Sequence, residues 1–160
     1  MNSPLAKACK AIESLRPFCK QGLGAIKGED RRLISVPNNL RLCCTVNLDE
    51  AMKVLLPSEN RWDYALEYDN YTFFIEVHPA STSEINCVIK KVTALKSWLK
   101  VNAPEVLNLP KKERGARMFY WVSSGRTDLR ILPNSNYARK LALHHIHSVG
   151  REWNYAKLFK

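Results

Sequence analysis

The chain has 160 residues, 46% of them apolar and 25% charged, with a formal net charge of +10. That length suits one well-cored domain and is short for two. No run of about 18 apolar residues marks a membrane span, and MNSPLAKACKAIESLRPF carries Lys, Glu and Arg where a secretory leader needs an apolar centre; the expected location is cytoplasmic, with no membrane partner.

The five cysteines, Cys9, Cys19, Cys43, Cys44 and Cys87, are odd in number and form no CxxC or Cys/His metal spacing. They read as reduced, mostly buried thiols. Charge is more informative when the chain is halved. Residues 1–80 hold ten Lys/Arg and ten Asp/Glu, whereas residues 81–160 hold fifteen against five. The whole positive excess therefore belongs to the second half, which favours a polyanion partner, DNA first, because each neutralised phosphate releases counterions. The competing account of the same charge is plain solubility.

Ser3-Pro4 is an N-cap followed by proline at the first helical position. Leu5, Ala8, Cys9, Ile12, Leu15 and Cys19 then recur at helical spacing and predict an amphipathic helix to about Lys20, with Glu13 at the border of its apolar stripe. Gly22 and Gly24 end it. Residues 28–39 read as a loop with a short extended piece at Leu33–Val36, and Leu40–Asn47 as a first strand. Asp49 is the expected cap of a short helix over Glu50–Leu56, stopped by Pro57.

Residues 61–78, RWDYALEYDNYTFFIEVH, read as a β-hairpin turning at Asp69-Asn70. With those two as the loop, Tyr68 faces Tyr71, Leu66 faces Phe73, Tyr64 faces Ile75 and Trp62 faces Val77, a wholly apolar face. The other face pairs Glu67 with Thr72, Ala65 with Phe74, Asp63 with Glu76 and Arg61 with His78. Two carboxylates land side by side, where opposed Cβ atoms sit only ~4.5–5.5 Å apart and like charge is destabilising. A divalent cation would compensate, since Mg²⁺ takes oxygen ligands from one or two carboxylates. The plainer reading is a pair of solvated acids on a wet sheet face, and a register shifted by one would separate them altogether.

After Pro79, a helix over roughly 83–100 is predicted from Ile85, Val88, Ile89, Val92, Leu95 and Leu99. At 100° per residue Lys90 points away from that stripe, whereas Lys91 and Lys96 flank it. Such lysines ordinarily snorkel. Residues 102–117, NAPEVLNLPKKERGAR, form a proline-interrupted basic loop in which Lys111, Lys112, Arg114 and Arg117 are candidate phosphate contacts. Met118–Val122 is the signature of a strand buried on both faces, followed by a turn at Ser123–Arg126 and an edge strand at Asp128–Leu132. A helix capped by Asn134 or Ser135 should run to about His147 with Gly150 as its stop. The histidines 144, 145 and 147 point in different directions on such a helix and carry no metal reading. The tail REWNYAKLFK is read as a short helix.

The resulting fold class is α/β or α+β, a mixed central sheet flanked by helices in the order α-β-β-β-α-β plus a C-terminal helix. That order, with Asp63 opening the second strand and Glu76-Val77-His78 on the third, resembles the core of the PD-(D/E)xK nuclease superfamily, the restriction endonuclease-like proteins, over about residues 4–123. The resemblance implies that Asp63 and Glu76 bind Mg²⁺ or Mn²⁺ with the Val77 carbonyl as a further ligand, and that Glu13 matches an acidic position many members add. The family's lysine, two residues after the acid, is replaced by His78. Members that carry the lysine on the following helix make Lys91 and Lys96 the two substitutes, and spacing does not choose between them.

Histidine supplies only part of lysine's chemistry. With a reference pKa near ~6.5 it can act as a base or, when protonated, as a proton donor, but it holds no permanent positive charge. Three functional classes follow in order: a metal-dependent nuclease hydrolysing phosphodiester bonds in DNA; a degenerate nuclease fold that binds nucleic acid without cutting it; and a basic protein-interaction module. A homodimer is compatible with all three, and no base-reading motif is present.

Overall fold

A computed structural model describes residues 2–110, 119–125, 131–132 and 134–158. The helices are α1 (Pro4–Ala11), α2 (Gly28–Arg31), α3 (Leu48–Lys53), α4 (Ile85–Asn102), α5 (Pro104–Leu107), α6 (Asn136–Leu143) and α7 (Tyr155–Leu158). The strands are β1 (Cys19–Gln21), β2 (Ile34–Ser35), β3 (Leu42–Asn47), β4 (Tyr64–Tyr68), β5 (Tyr71–Pro79), β6 (Phe119–Ser124), β7 (Ile146–Ser148) and β8 (Trp153–Asn154). Six strands form one mixed sheet in the order β1-β3-β4-β5-β6-β7, and β2 pairs with β8 separately. The β1–β3, β3–β4 and β4–β5 pairs are antiparallel, and β5–β6 and β6–β7 are parallel. The fold is thus mixed α and β, with helices flanking the sheet.

The hairpin has the expected register. Tyr64 pairs with Ile75, Ala65 with Phe74, Leu66 with Phe73, Glu67 with Thr72 and Tyr68 with Tyr71. Asp69 and Asn70 both have positive φ, 54° and 65°, the type I′ geometry whose twist matches the flanking strands. Only the start differs: the strand begins at Tyr64, and residues 61–63 lie outside the ladder. Freed from alternation, Trp62 joins the cluster of Ala65, Phe74 and Phe119, not that of Tyr64 and Leu66. Its ring meets Phe119 edge-on at 5.6 Å between centroids.

Both faces of the sheet are covered, so neither is wet. One core joins α1, α3, α4 and α5 to Val46, Ala65, Phe74, Phe119 and Trp121. The other packs Ile26, Ile34, Trp153 and Tyr155 against Tyr64, Leu66, Phe73, Ile75, Tyr120 and Val122. β6 sits between two parallel neighbours and contributes alternate residues to each core, as an all-apolar central strand should.

Several boundaries depart from expectation. The helix α1 does stand on Ser3, whose side chain accepts from the Ala6 amide, but it stops at Ala11 because Ile12 turns extended. Leu15 is still buried and Cys19 enters β1, so the helical recurrence of apolar residues continues past the helix itself. Asn47 caps α3, ahead of the Asp49 expected for that role. The last long helix ends at Leu143, and Ile146–Ser148 becomes an edge strand on β6. Ser123 and Ser124 remain in β6, with Gly125 taking the positive φ of 85°. The remaining turn residue and most of the expected edge strand 128–132 lie outside the described residues, as does Met118. All five cysteines are free thiols; Cys9 and Cys44 are buried, and the other three are half-buried. No helix among the described residues is long and apolar enough to cross a membrane.

Candidate active site

The site is built where β4 begins and β5 ends, under the first turns of α4. Asp63 is placed by its backbone: its carbonyl accepts from the amides of Leu48 at 2.9 Å and Asp49 at 3.3 Å, tying it to the start of α3. Asp49 is in turn held by Arg61 Nε at 2.8 Å, and the same guanidinium closes the preceding loop on the carbonyls of Leu56, Pro57 and Glu59. Arg61 therefore braces the approach to Asp63 and does not face His78.

Across the hairpin the two acids interlock. The Asp63 amide donates to Glu76 Oε2 at 3.0 Å, and the Val77 amide donates to Asp63 Oδ2 at 2.9 Å. Each carboxylate is thus aimed by the other strand's main chain, which orders both side chains without cancelling their charge. Glu76 is fully buried and Asp63 half-buried. The expectation of solvated acids fails on this geometry.

Lys91, on α4, projects Nζ onto Glu76 Oε1 with only 13% of its side chain exposed. Ile85, Val88, Val92, Leu95 and Leu99 seat the helix on the sheet, and that rotation turns Lys91 toward the acids. Lys96, on the stripe's other flank, bonds the His144 carbonyl at 3.3 Å and lies over the Phe119 ring, away from the pair. The choice that spacing leaves open falls on Lys91.

Burial raises Glu76 well above the ordinary carboxylate range, and the Asp63 charge adds to that rise; Lys91 and the Asp63 amide oppose it. Asp63 is raised chiefly by burial, against Lys91 and the Val77 amide. Burial pulls Lys91 down, but the attraction of Glu76 and Asp63 outweighs it and holds the ammonium above its usual value. Two acids share one lysine, so the cluster retains negative charge that its surroundings penalise.

His78, at the end of β5, turns away from Arg61. Its Nε2 lies 2.6 Å from Glu84 Oε2 and its Nδ1 3.7 Å from Glu76 Oε1, while its carbonyl accepts from the Trp121 indole at 3.1 Å. The sequence marks Glu84 only as part of a helix start; its side chain does not cap α4 and faces the imidazole instead. Nothing local in the sequence signals that pairing, which depends on the turn at 79–83.

Glu13 is not brought in. It lies past the end of α1 and is exposed, and among the described hydrogen bonds and ion pairs none joins it to Asp63 or Glu76. Val77 enters the site through its amide. Lys111, Lys112, Arg114 and Arg117 lie outside the described residues.

The donor set suits a hard divalent cation. Two carboxylates are neighbours across the hairpin; Asp63 uses only Oδ2 in the described protein hydrogen bonds, while Glu76 engages Oε1 with Lys91 and Oε2 with the Asp63 amide. Mg²⁺ is commonly held through one or two carboxylates with water completing the shell. No protein-family model matches this chain, and neither the curated proteins nor the solved structures contain a significant match to it.

Proposed function

We propose that this protein is a Mg²⁺- or Mn²⁺-dependent nuclease that hydrolyses phosphodiester bonds in DNA, built on a restriction endonuclease-like core. One observation carries the reading: Lys91 reaches Glu76 beside Asp63, so two acids and a lysine meet although the lysine is absent from β5. The order of four sheet strands, antiparallel through β3, β4 and β5 and then parallel to β6, supports the same reading.

Asp63 and Glu76 would hold the cation, with the Val77 carbonyl as a further oxygen. When bound, such a cation lowers the pKa of water and offsets charge on the phosphate. The protein's own groups do the rest. Interlocking through the Asp63 and Val77 amides holds the two carboxylates in fixed orientations. Lys91, kept protonated by those acids, presents a fixed positive charge to a non-bridging phosphate oxygen, the task of the strand lysine in the superfamily that the chain resembles. His78 Nδ1 lies 3.7 Å from Glu76 Oε1, the oxygen that Lys91 also reaches, and its Nε2 faces Glu84. The basic second half, Lys111, Lys112, Arg114 and Arg117 included, supplies phosphate contacts.

The test is Mn²⁺-dependent cleavage of duplex, branched and single-stranded DNA. Wild type should cut at least one of these; Asp63→Asn should not, and Lys91→Ala should cut about 10²–10³-fold more slowly, both while retaining DNA affinity. Neutralising the four basic residues should weaken binding and reduce its log–log salt slope by up to ~0.9 for each phosphate that the variant no longer neutralises. Salt-sensitive binding by a wild type that cuts none of the substrates would replace the nuclease with a non-catalytic DNA-binding protein. Neither cleavage nor binding would leave the protein-interaction module.

A further inference from the structure

Beside the Asp63–Glu76–Lys91 cluster, and meeting it through His78, lies a second cluster of metal-ligating atoms. His78 ends β5, Glu84 sits in the single 3₁₀ turn that follows, and Cys87 is in the first turn of α4. One ligand atom from each, an imidazole nitrogen, a carboxylate oxygen and the thiol sulfur, lies within 4.8 Å of both others, and all three residues are half-buried. Glu84 and Cys87 are three apart and so share a helical face, and His78 is carried to that face by the turn at 79–83.

We propose that His78, Glu84 and Cys87 form a binding site for a zinc-class transition-metal ion, separate from the Asp63–Glu76 pair and with a fourth coordination position open to water or a ligand. The donor chemistry selects the ion. Thiolate and imidazole prefer borderline metals such as Zn²⁺ over Mg²⁺, and a nitrogen, an oxygen and a sulfur from three protein groups plus one free position is the pattern of exchangeable zinc sites. Zn–ligand lengths of ~2.0–2.3 Å place tetrahedral donors roughly 3.3–3.6 Å apart. The cluster is already near that size: Nε2 and Oε2, 2.6 Å apart, need only separate slightly. A carboxylate and a thiolate together balance the charge of a divalent ion.

The surroundings favour the same assignment. Ligating histidines usually direct their second ring nitrogen to a carboxylate, which fixes the tautomer. With Nε2 toward the ion, His78 Nδ1 faces Glu76 Oε1 at 3.7 Å. Glu84 makes no side-chain hydrogen bond to cap α4. Among the described residues, the hydrogen bond that the Cys87 sulfur would give up is a 3.9 Å contact with Asn60 Oδ1.

The site goes beyond the nuclease reading, and DNA cleavage does not enter its test. ZnCl₂ is titrated into metal-free protein by calorimetry, and CoCl₂ is followed by absorbance, because a thiolate on cobalt gives a near-ultraviolet charge-transfer band. Wild type should bind at least one equivalent of zinc, the Asp63–Glu76 pair being a second place for a divalent ion, and should show the band. Cys87→Ser should lose the band and bind zinc at least about 100-fold more weakly, beyond the usual cost of losing an outer-shell partner. Glu84→Gln should keep the band with weakened affinity, which holds the test open if the serine variant fails to fold. Asp63→Asn should leave the cobalt–thiolate band and its saturation point unchanged. Cys19, hydrogen-bonded to Cys9 and Cys44 in a separate thiol cluster, is the competing source of a thiolate. Absence of saturable zinc binding, a band lost in Cys19→Ser but kept in Cys87→Ser, zinc affinity unmoved by Glu84→Gln, or a band lost in Asp63→Asn would each overturn the assignment.

Discussion

Glu67 and Glu76 lie on the same face of the same hairpin, one near each end, and both are wholly buried. Glu67 accepts the Leu5 amide at the start of α1 through Oε2, and its other oxygen has no described protein partner. It does the work of a helix cap, satisfying an amide that the helix cannot. Glu76 is set among Asp63, Lys91 and His78, and one of its neighbours carries like charge. Burial of an acid is therefore not what marks the candidate site. Its mark is a second acid and a lysine brought against the buried one, Asp63 from across the hairpin and Lys91 from α4.

If the two glutamates differ as described, their removal must have different consequences. The largest effect is expected on cleavage: Asp63→Asn or Glu76→Gln should abolish it, and Lys91→Ala should lower kcat by about 10²–10³-fold, the cost of deleting one charge-stabilising donor. Glu67→Gln should leave it unchanged. Equal loss of cleavage from Glu67→Gln and Glu76→Gln, with both variants folded, would erase the distinction.

A second test moves the lysine. His78 Nδ1 lies 3.7 Å from Glu76 Oε1, so a side chain at 78 can reach the acids. Lys91→Ala with His78→Lys should recover about tenfold or more of the activity that Lys91→Ala loses, within the same stabilising range. Single-turnover cleavage measures it, and no recovery would mean that Lys91 does more than supply charge.

Stability should separate the glutamates in the opposite sense. Glu67→Ala strands the buried Leu5 amide and should cost about 1–3 kcal/mol in denaturant unfolding. Glu67→Gln keeps an acceptor and should cost less. A loss from Glu67→Ala within the error of wild type would remove its capping role.

The smallest effect concerns pH. Folding raises Glu76 and Asp63 above their ordinary values. The folded state then binds more protons than the unfolded state between the usual carboxylate range and those raised values, so stability falls as pH rises through that window. Lys91 is raised too, and its contribution is present below the ordinary lysine range and is lost only in alkali. Chelator-treated protein should therefore have a higher Tm at mildly acidic than at neutral pH, and Mg²⁺ should narrow the difference. Glu76→Gln should flatten the profile.

Much of the molecule is legible locally. The Asp69-Asn70 turn admits positive φ at both positions, and alternation beyond it sets the register as far as Tyr64 with Ile75, which leaves Asp63 next to Glu76, although residues 61–63 themselves leave the ladder. The apolar stripe of α4 and the two-sided burial of β6 are readable for the same reason: both follow from the period of a single element. Lys91 and Lys96 are equivalent by that measure, since both flank the stripe. Only the seating of α4 across the sheet sends one to Glu76 and the other to His144. Likewise Ile146–Ser148 carries no decisive strand signal and is a strand because β6 offers it a parallel partner. The face bearing the acids is buried because helices distant in sequence cover it, and His78, Glu84 and Cys87 meet because a turn carries a strand end to a helix start. Periodicity records which side of an element is apolar; where that side docks is set by packing between residues far apart in the chain, and the chemistry of the site depends on the docking.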